Sequence, residues 1–171
     1  MKAFDQTIEE METFTRFLEE DLENIERVVE FFKENNLDAD FEVHAKAETV
    51  DESVQHSGIE RSQIVKTLVF IGEEPVAVLC AGDERVSEDK LERLLEEEVE
   101  LASPSQVENA TGYVIGGVSP FDLDIPVYIE ESVMENELVR PAAGSRLVGA
   151  KLSPEQLKQL TGGEVADVAE E

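Results

Sequence analysis

Cysteine is almost missing from this 171-residue chain, which has one, Cys80. A lone thiol closes no internal disulfide. Cys80 also sits in the apolar run Val76-Ala77-Val78-Leu79-Cys80-Ala81, with no basic residue beside it to lower its pKa. It reads as a small core residue and not as a nucleophile. Histidine is nearly as scarce, with His44 and His56 the two present. Without a Cys pair or a His-Glu zinc spacing, no metal site and no other cofactor is expected. The acidic stretches Asp83-Glu84 and Glu96-Glu97-Glu98 lack the alternating Asp/Asn pattern of a calcium loop and read as solvated faces. No apolar run approaches the ~20 residues of a membrane helix, and Met1-Lys2-Ala3-Phe4-Asp5 opens no signal-peptide core. A cytosolic protein is expected.

Positive charge is the next shortage. Fourteen Lys and Arg face 41 Asp and Glu, for a formal net charge of −27. That balance excludes a conventional basic nucleic-acid surface and an anionic-membrane binder as whole-surface properties. Hydrophobic residues still make up 41% of the chain, enough for a packed core. The acids run through the whole length and form no separate tail, a distribution that resembles proteins of extreme halophiles. At molar salt the screening length falls to ~3 Å and self-repulsion largely vanishes. Raising KCl from ~0.1 to ~2 M is therefore expected to raise the melting temperature. A flat or falling melting curve across that range speaks against the explanation.

Helical periodicity dominates the start. Phe4, Ile8, Met11, Leu18, Leu22, Ile25, Val29 and Phe32 keep a spacing of four and three, with Thr15 the only polar interruption and no Gly or Pro before Asn35-Asn36. So long a stripe fits a helix lying on its own domain, and it also fits pairing with a second copy of the chain. Shorter elements follow. Phe41–Ala45 alternates like a strand, and Thr49–Glu52 is a capping box for a short helix that Gly58 ends. Gln63–Ile71 and Val76–Ala81 form two apolar strands around Gly72-Glu73-Glu74-Pro75, a hairpin. Helices are expected over Ser87–Glu97, after Ser103-Pro104-Ser105-Gln106, and from Ser153 to Leu160. Further strands are expected at Val99–Ala102, Val114–Ile115, Pro126–Glu130, Leu138–Pro141 and Arg146–Lys151, and the last few residues look loose. Strands and helices do not alternate strictly. The class is α+β, a mixed β-sheet flanked by helices.

Two features resist a purely structural explanation. Lys66 lies in Gln63-Ile64-Val65-Lys66-Thr67-Leu68-Val69-Phe70-Ile71, where period two puts it on one face with Ile64, Leu68 and Phe70. It is either a charge guarding an edge strand or an ammonium projected into a site. The second feature is Thr111-Gly112-Tyr113-Val114-Ile115-Gly116-Gly117-Val118-Ser119-Pro120-Phe121, whose paired glycines let backbone approach a ligand. It matches no phosphate-loop fingerprint, and the bland alternative is a glycine turn after a strand. Ala142-Ala143-Gly144-Ser145 is a weaker third feature.

Taken together, QIVKTLVF, TGYVIGGVSPF, IPVYIEESV and AAGS resemble the YbaK/prolyl-tRNA-synthetase-associated domain family, the trans-editing aminoacyl-tRNA deacylases. The resemblance covers roughly Arg27 to Val168. It implies a deacylase domain over residues 26–171 with an N-terminal helical extension over residues 1–25. It also implies hydrolysis of the ester joining a wrong amino acid to the terminal ribose of a tRNA, often tRNA-Pro. Lys66 is then the key lysine, holding the terminal phosphate or polarising the ester. The turn Gly116, Gly117, Val118, Ser119 and Pro120 presents backbone groups to the aminoacyl moiety, with Thr67 and Ser119 as hydroxyl supports and Gly144 shaping the pocket. Water attacks with help from the substrate's own 2′-hydroxyl, so the protein supplies positioning and electrostatics.

The implied partners are the acceptor end of an aminoacyl-tRNA and a synthetase, with no DNA and no membrane. Lys46, Arg61, Lys66, Arg140, Arg146 and Lys151 are the cations available to gather at one mouth. Where cysteine-specific members carry Ser and Asp around the late glycines, this chain has Ala142 and Gly149, and Glu130 replaces a frequent Asp. A second reading is a catalytically idle module that binds charged tRNA or a synthetase; the intact lysine and turn favour the enzyme.

Overall fold

The computed structural model describes residue 19, residues 21–43 and residues 60–171. The expected helix over Thr49–Gly58, together with His44, Lys46, His56 and the first half of the N-terminal stripe (Phe4, Ile8, Met11 and Leu18), lies outside these residues. Helix α1 (residues 21–34) runs unbroken across residues 25 and 26. Strands β1 (Asp40–Val43), β2 (Ile64–Ile71) and β3 (Pro75–Ala81) come next, then helix α2 (Glu88–Leu95). After β4 (Glu100–Leu101), helix α3 (Pro104–Thr111) leads through a long turn to β5 (Val127–Glu130). Strands β6 (Arg140–Ser145) and β7 (Val148–Lys151), helix α4 (Pro154–Thr161) and β8 (Glu164–Ala166) complete the chain. No described helix is long and apolar enough to cross a membrane.

One mixed sheet results, in the order β1-β7-β6-β2-β3-β5-β8, with β4 pairing β2 beside this path. The β2–β3 hairpin is antiparallel, and Lys66 stands opposite Cys80. Strand β6 joins β2 in parallel over Ile64↔Arg140 and Val65↔Pro141, then bends away to pair with β7. Strands β5 and β8 extend the other side in parallel. Because β2 lies between β6 and β3, an edge-strand explanation of Lys66 falls away.

Both faces of the hairpin are covered. Val65, Val69, Ala77 and Leu79 meet Val28 and Phe32 of α1, along with Tyr113, Val118 and Phe121. Phe70, Val76, Val78 and Cys80 meet Val86, Leu91, Val99 and Val168 on the other face. A strand buried on both sides needs apolar side chains at successive positions, which is why β3 reads as a continuous run and not as an alternation. Phe32 and Phe121 pack edge to face at 4.7 Å between ring centroids, locking α1 to the turn that follows α3. Ser103 with Gln106 and Ser153 with Gln156 form the two expected capping boxes.

Three expectations change. Val114 and Ile115 form no strand: the amide of Gly117 donates to the carbonyl of Val114 at 3.0 Å, and the chain turns back there. The C-terminus is not loose, since β8 pairs with β5, Val168 is buried and the Glu170 amide donates to the Arg85 carbonyl. Three strand residues are too few to show a period, and their place is set by β5. On α1 the inward positions include Asp21, Val28 and Phe32, whereas Leu22 is 55% exposed.

Candidate functional site

Lys66 leaves β2 on the face of Leu68 and Phe70, as the alternation requires. It is half-buried, and its ammonium donates a hydrogen bond to the backbone carbonyl of Glu84, just past the end of β3. The surroundings are acidic. Burial pushes the Glu84 carboxyl above the usual range; the neighbouring Glu130 and Asp83 carboxylates add to this, and the Ser132 hydroxyl opposes it. Glu130 is 2% exposed and accepts from the Ser132 amide at 2.7 Å and the Val168 amide at 3.3 Å. Burial also pushes the Cys80 thiol up to about 11, against the pull of Lys66 across the ladder. A thiol held protonated in this way is a core group and no nucleophile. Glu130, Glu131 and Asp167 bring carboxylate oxygens together nearby, and Lys90 answers them with an ion pair to Asp167 at 2.9 Å.

Thr67, the next residue, points to the opposite face, shared with Val65 and Val69. Its Oγ1 is buried without a hydrogen-bond partner. A buried hydroxyl left unpaired costs about 1–3 kcal/mol.

The glycine turn packs on this same face, with Val118 in the core that holds Val65 and Val69. Ser119 is fully buried, and its Oγ accepts from the Phe121 amide at 3.4 Å. Gly117 lies directly against the β6–β7 hairpin. A Cβ added there would sit 2.9 Å from Ser145 Cα and 3.2 Å from the Gly144 carbonyl oxygen. Gly144, in turn, backs onto α1, where an added Cβ would meet the Asn24 carbonyl carbon at 2.5 Å. The Arg146 side chain lies beside Gly116. Three backbone segments thus meet without intervening side chains, and a side chain at Gly117 or Gly144 would force them apart. Ser145 completes the contact: its Oγ donates to Asp21 Oδ2 at 2.8 Å and accepts from the Leu147 amide at 3.0 Å.

Among the expected site residues, Gly116, Gly117, Val118, Ser119, Pro120 and Gly144 come together, and Thr67 shares their face. Lys66 does not join them through its hydrogen bond, which leads to Glu84 on the other side of the sheet. Of the cations expected at one mouth, Arg140 is engaged by both oxygens of Glu42, at 2.7 and 2.9 Å. Sequence reasoning missed Asp21, and it quoted Ser145 only as the end of the AAGS run, without a role. A single acid among 41 carries no local mark, and its partner is 124 residues away.

The chain is similar to known proteins of tRNA editing. Residues 44–163 match the model of the aminoacyl-tRNA editing domain. A candidate Cys-tRNA(Pro)/Cys-tRNA(Cys) deacylase of Enterococcus faecalis, EbsC, is 33% identical over 153 residues, 85% of this chain and 92% of its own length. A stretch of 87 residues, half of this chain, is 40% identical to part of the proline–tRNA ligase of Caldicellulosiruptor bescii, of which it spans 15%. The crystal structure of a candidate trans-editing enzyme for prolyl-tRNA synthetase superposes with a TM-score of 0.81 at 31% identity. That match covers 86% of this chain and 98% of the other. With 120 of its 171 residues inside the matched domain (residues 44 to 163, both included), the chain belongs to the aminoacyl-tRNA editing domain family.

Proposed function

We propose that this protein hydrolyses the ester between a wrongly attached amino acid and the 3′-terminal ribose of a tRNA, with tRNA-Pro the favoured carrier. The observation that carries the reading is family membership over a stretch that holds Lys66, the Gly116–Pro120 turn and Gly144 together. The glycine turn supports it, because Gly116 and Gly117 carry no side chain to keep an aminoacyl ester from the backbone. Water is the attacking group, helped by the substrate's 2′-hydroxyl, and the protein supplies orientation and charge. Lys66 is assigned the terminal phosphate or ester oxygen by the family resemblance, and to take it the ammonium must leave the Glu84 carbonyl, on the other side of the sheet from the turn. Discrimination follows double-sieve logic, in which the site admits small amino acids and excludes the cognate one. The net charge of −27 confines recognition to the acceptor end, with a synthetase as the natural source of substrate.

Incubating the protein at high KCl with Ala-tRNA-Pro, Cys-tRNA-Pro and Ser-tRNA species tests this reading and identifies the amino acid removed. Ala142 and Gly149 stand where cysteine-specific relatives carry Ser and Asp, so alanine or serine is expected to be released faster than cysteine. Background release from every species speaks for an idle binding module.

Thr67 offers a second test. Thr67→Val removes a buried hydroxyl that has no partner in the fold, so stability is expected to stay level or to rise by about 1 kcal/mol. Deacylation is expected to slow by about tenfold if that hydroxyl meets the substrate. Loss of stability together with unchanged turnover assigns Thr67 to the fold alone.

A further inference from the structure

The segment that carries the glycine turn leaves the end of α3 and returns at Asp122, and its neck is tied from both sides. The hydroxyl of the fully buried Tyr113 donates to the Phe121 carbonyl at 2.8 Å. Arg27, reaching over from α1, does more. Its Nη1 donates to the Thr111 carbonyl at 2.7 Å, its Nε to Asp122 Oδ2 at 2.9 Å, and its Nη2 to the Asp122 carbonyl. The guanidinium carbon lies 4.2 Å from the centre of the Tyr113 ring. One planar fork therefore takes an acceptor at the entry of the segment, two at its exit, and the aromatic face between them. Asp122 holds a left-handed backbone (φ 59°) at the point Arg27 grips.

We infer that Arg27 is a positioning residue for editing. It closes the neck of the Gly116–Pro120 turn, so that the turn's backbone groups are held where the aminoacyl ester must lie. This rests on the deacylase reading above. Arg27 touches neither Lys66 nor the glycines of the turn, and acts through the geometry of the segment. Helix α1 thereby holds both segments that meet at Gly117: Asp21 holds the β6–β7 hairpin through Ser145, and Arg27 holds the turn. The charge pair itself is a weak source of global stability, since the Asp122 side chain is 51% exposed and that of Arg27 28%. Preorganised donors, by contrast, lose effect steeply when displaced by about an ångström. Stability and turnover therefore separate on substitution.

The test uses Arg27→Met and Arg27→Lys in the full chain, with Leu157→Ala as a control that loosens the core from helix α4. Melting temperature, kcat and KM for the substrate that the native protein hydrolyses, and amide hydrogen exchange over residues 113–121 are measured. Arg27→Met is expected to lower kcat by about 10- to 100-fold with KM little changed. Exchange across 113–121 should quicken while the melting temperature stays near native. Arg27→Lys, which keeps the charge but not the fork, is expected to lie nearer to Arg27→Met than to the native protein. Native kcat together with native exchange in Arg27→Met overturns the inference. So does a loss of kcat that Leu157→Ala reproduces at the same folded fraction. If the native protein releases no amino acid from any aminoacyl-tRNA, the functional reading falls, and exchange over 113–121 still decides whether Arg27 holds the turn.

Discussion

Lys66→Ala is expected to lower deacylation by about 100- to 1,000-fold, the usual cost of removing one preorganised charged donor from a site that works by electrostatics and positioning. The fold should survive. Lys66 is half-buried, it lies on a strand whose neighbours Val65 and Val69 are almost fully buried, and its tertiary hydrogen bond is a single one to the Glu84 carbonyl. Losing one such bond costs on the order of 1 kcal/mol. The expected pattern is near-native circular dichroism and melting with turnover close to background. A local signature goes with it. Lys66 is the cation that opposes the upward shift of Cys80, so Lys66→Ala should push the thiol further up than in the native protein. Lys66→Arg is no substitute, because a planar guanidinium cannot take the same path from the Glu84 carbonyl to a phosphate oxygen. Native turnover in Lys66→Ala would remove the lysine from the reaction and, with it, the proposed division of labour between charge and backbone.

Gly144→Ala carries the largest expected effect on stability. Two costs add at this position. The backbone has φ 92°, a left-handed conformation that an L side chain resists by about 1–2 kcal/mol. The added methyl would also stand 2.5 Å from the carbonyl carbon of Asn24 and 2.8 Å from the Ile25 nitrogen, both backbone atoms of α1. Backbone inside a helix cannot step aside as the end of a flexible side chain can, so the helix and the hairpin must separate. A loss of about 3–5 kcal/mol is expected, equivalent to roughly 6–20 °C in melting temperature for a chain of this size. The displacement also strains the Asp21–Ser145 hydrogen bond, which sits one residue further along β6. A melting temperature within about 2 °C of native would show that the contact between α1 and the hairpin yields more easily than packed backbone allows.

Much of this molecule is legible in its amino-acid order. Capping boxes at Ser103 and Ser153, the β2–β3 hairpin and the face on which Lys66 stands depend on residues a few positions apart, and each forms as expected. The family is legible as well, because its marks are short contiguous runs around Lys66, Gly116–Pro120 and Gly144. Where local signals are weak, the order of residues misleads. Val114 and Ile115 look like a β-pair until the glycines behind them turn the chain. Glu164–Ala166 has too few residues to announce a strand that β5 alone imposes.

What the sequence determined by itself is therefore the local grammar: where helices begin, which residues alternate, and which backbone positions demand glycine. Those choices are made by sterics and hydrogen bonds within a turn or two of the chain. Tertiary structure alone decided that Asp21 is buried in place of Leu22, and that Arg27 grips acceptors 84 and 95 residues away. It also decided that the Lys66 ammonium rests on Glu84, on the far side of the sheet from the turn. Each of these depends on which strand β6 leaves and which face α1 covers. Burial energy settles such questions over the whole domain, and no window of neighbouring residues contains the answer.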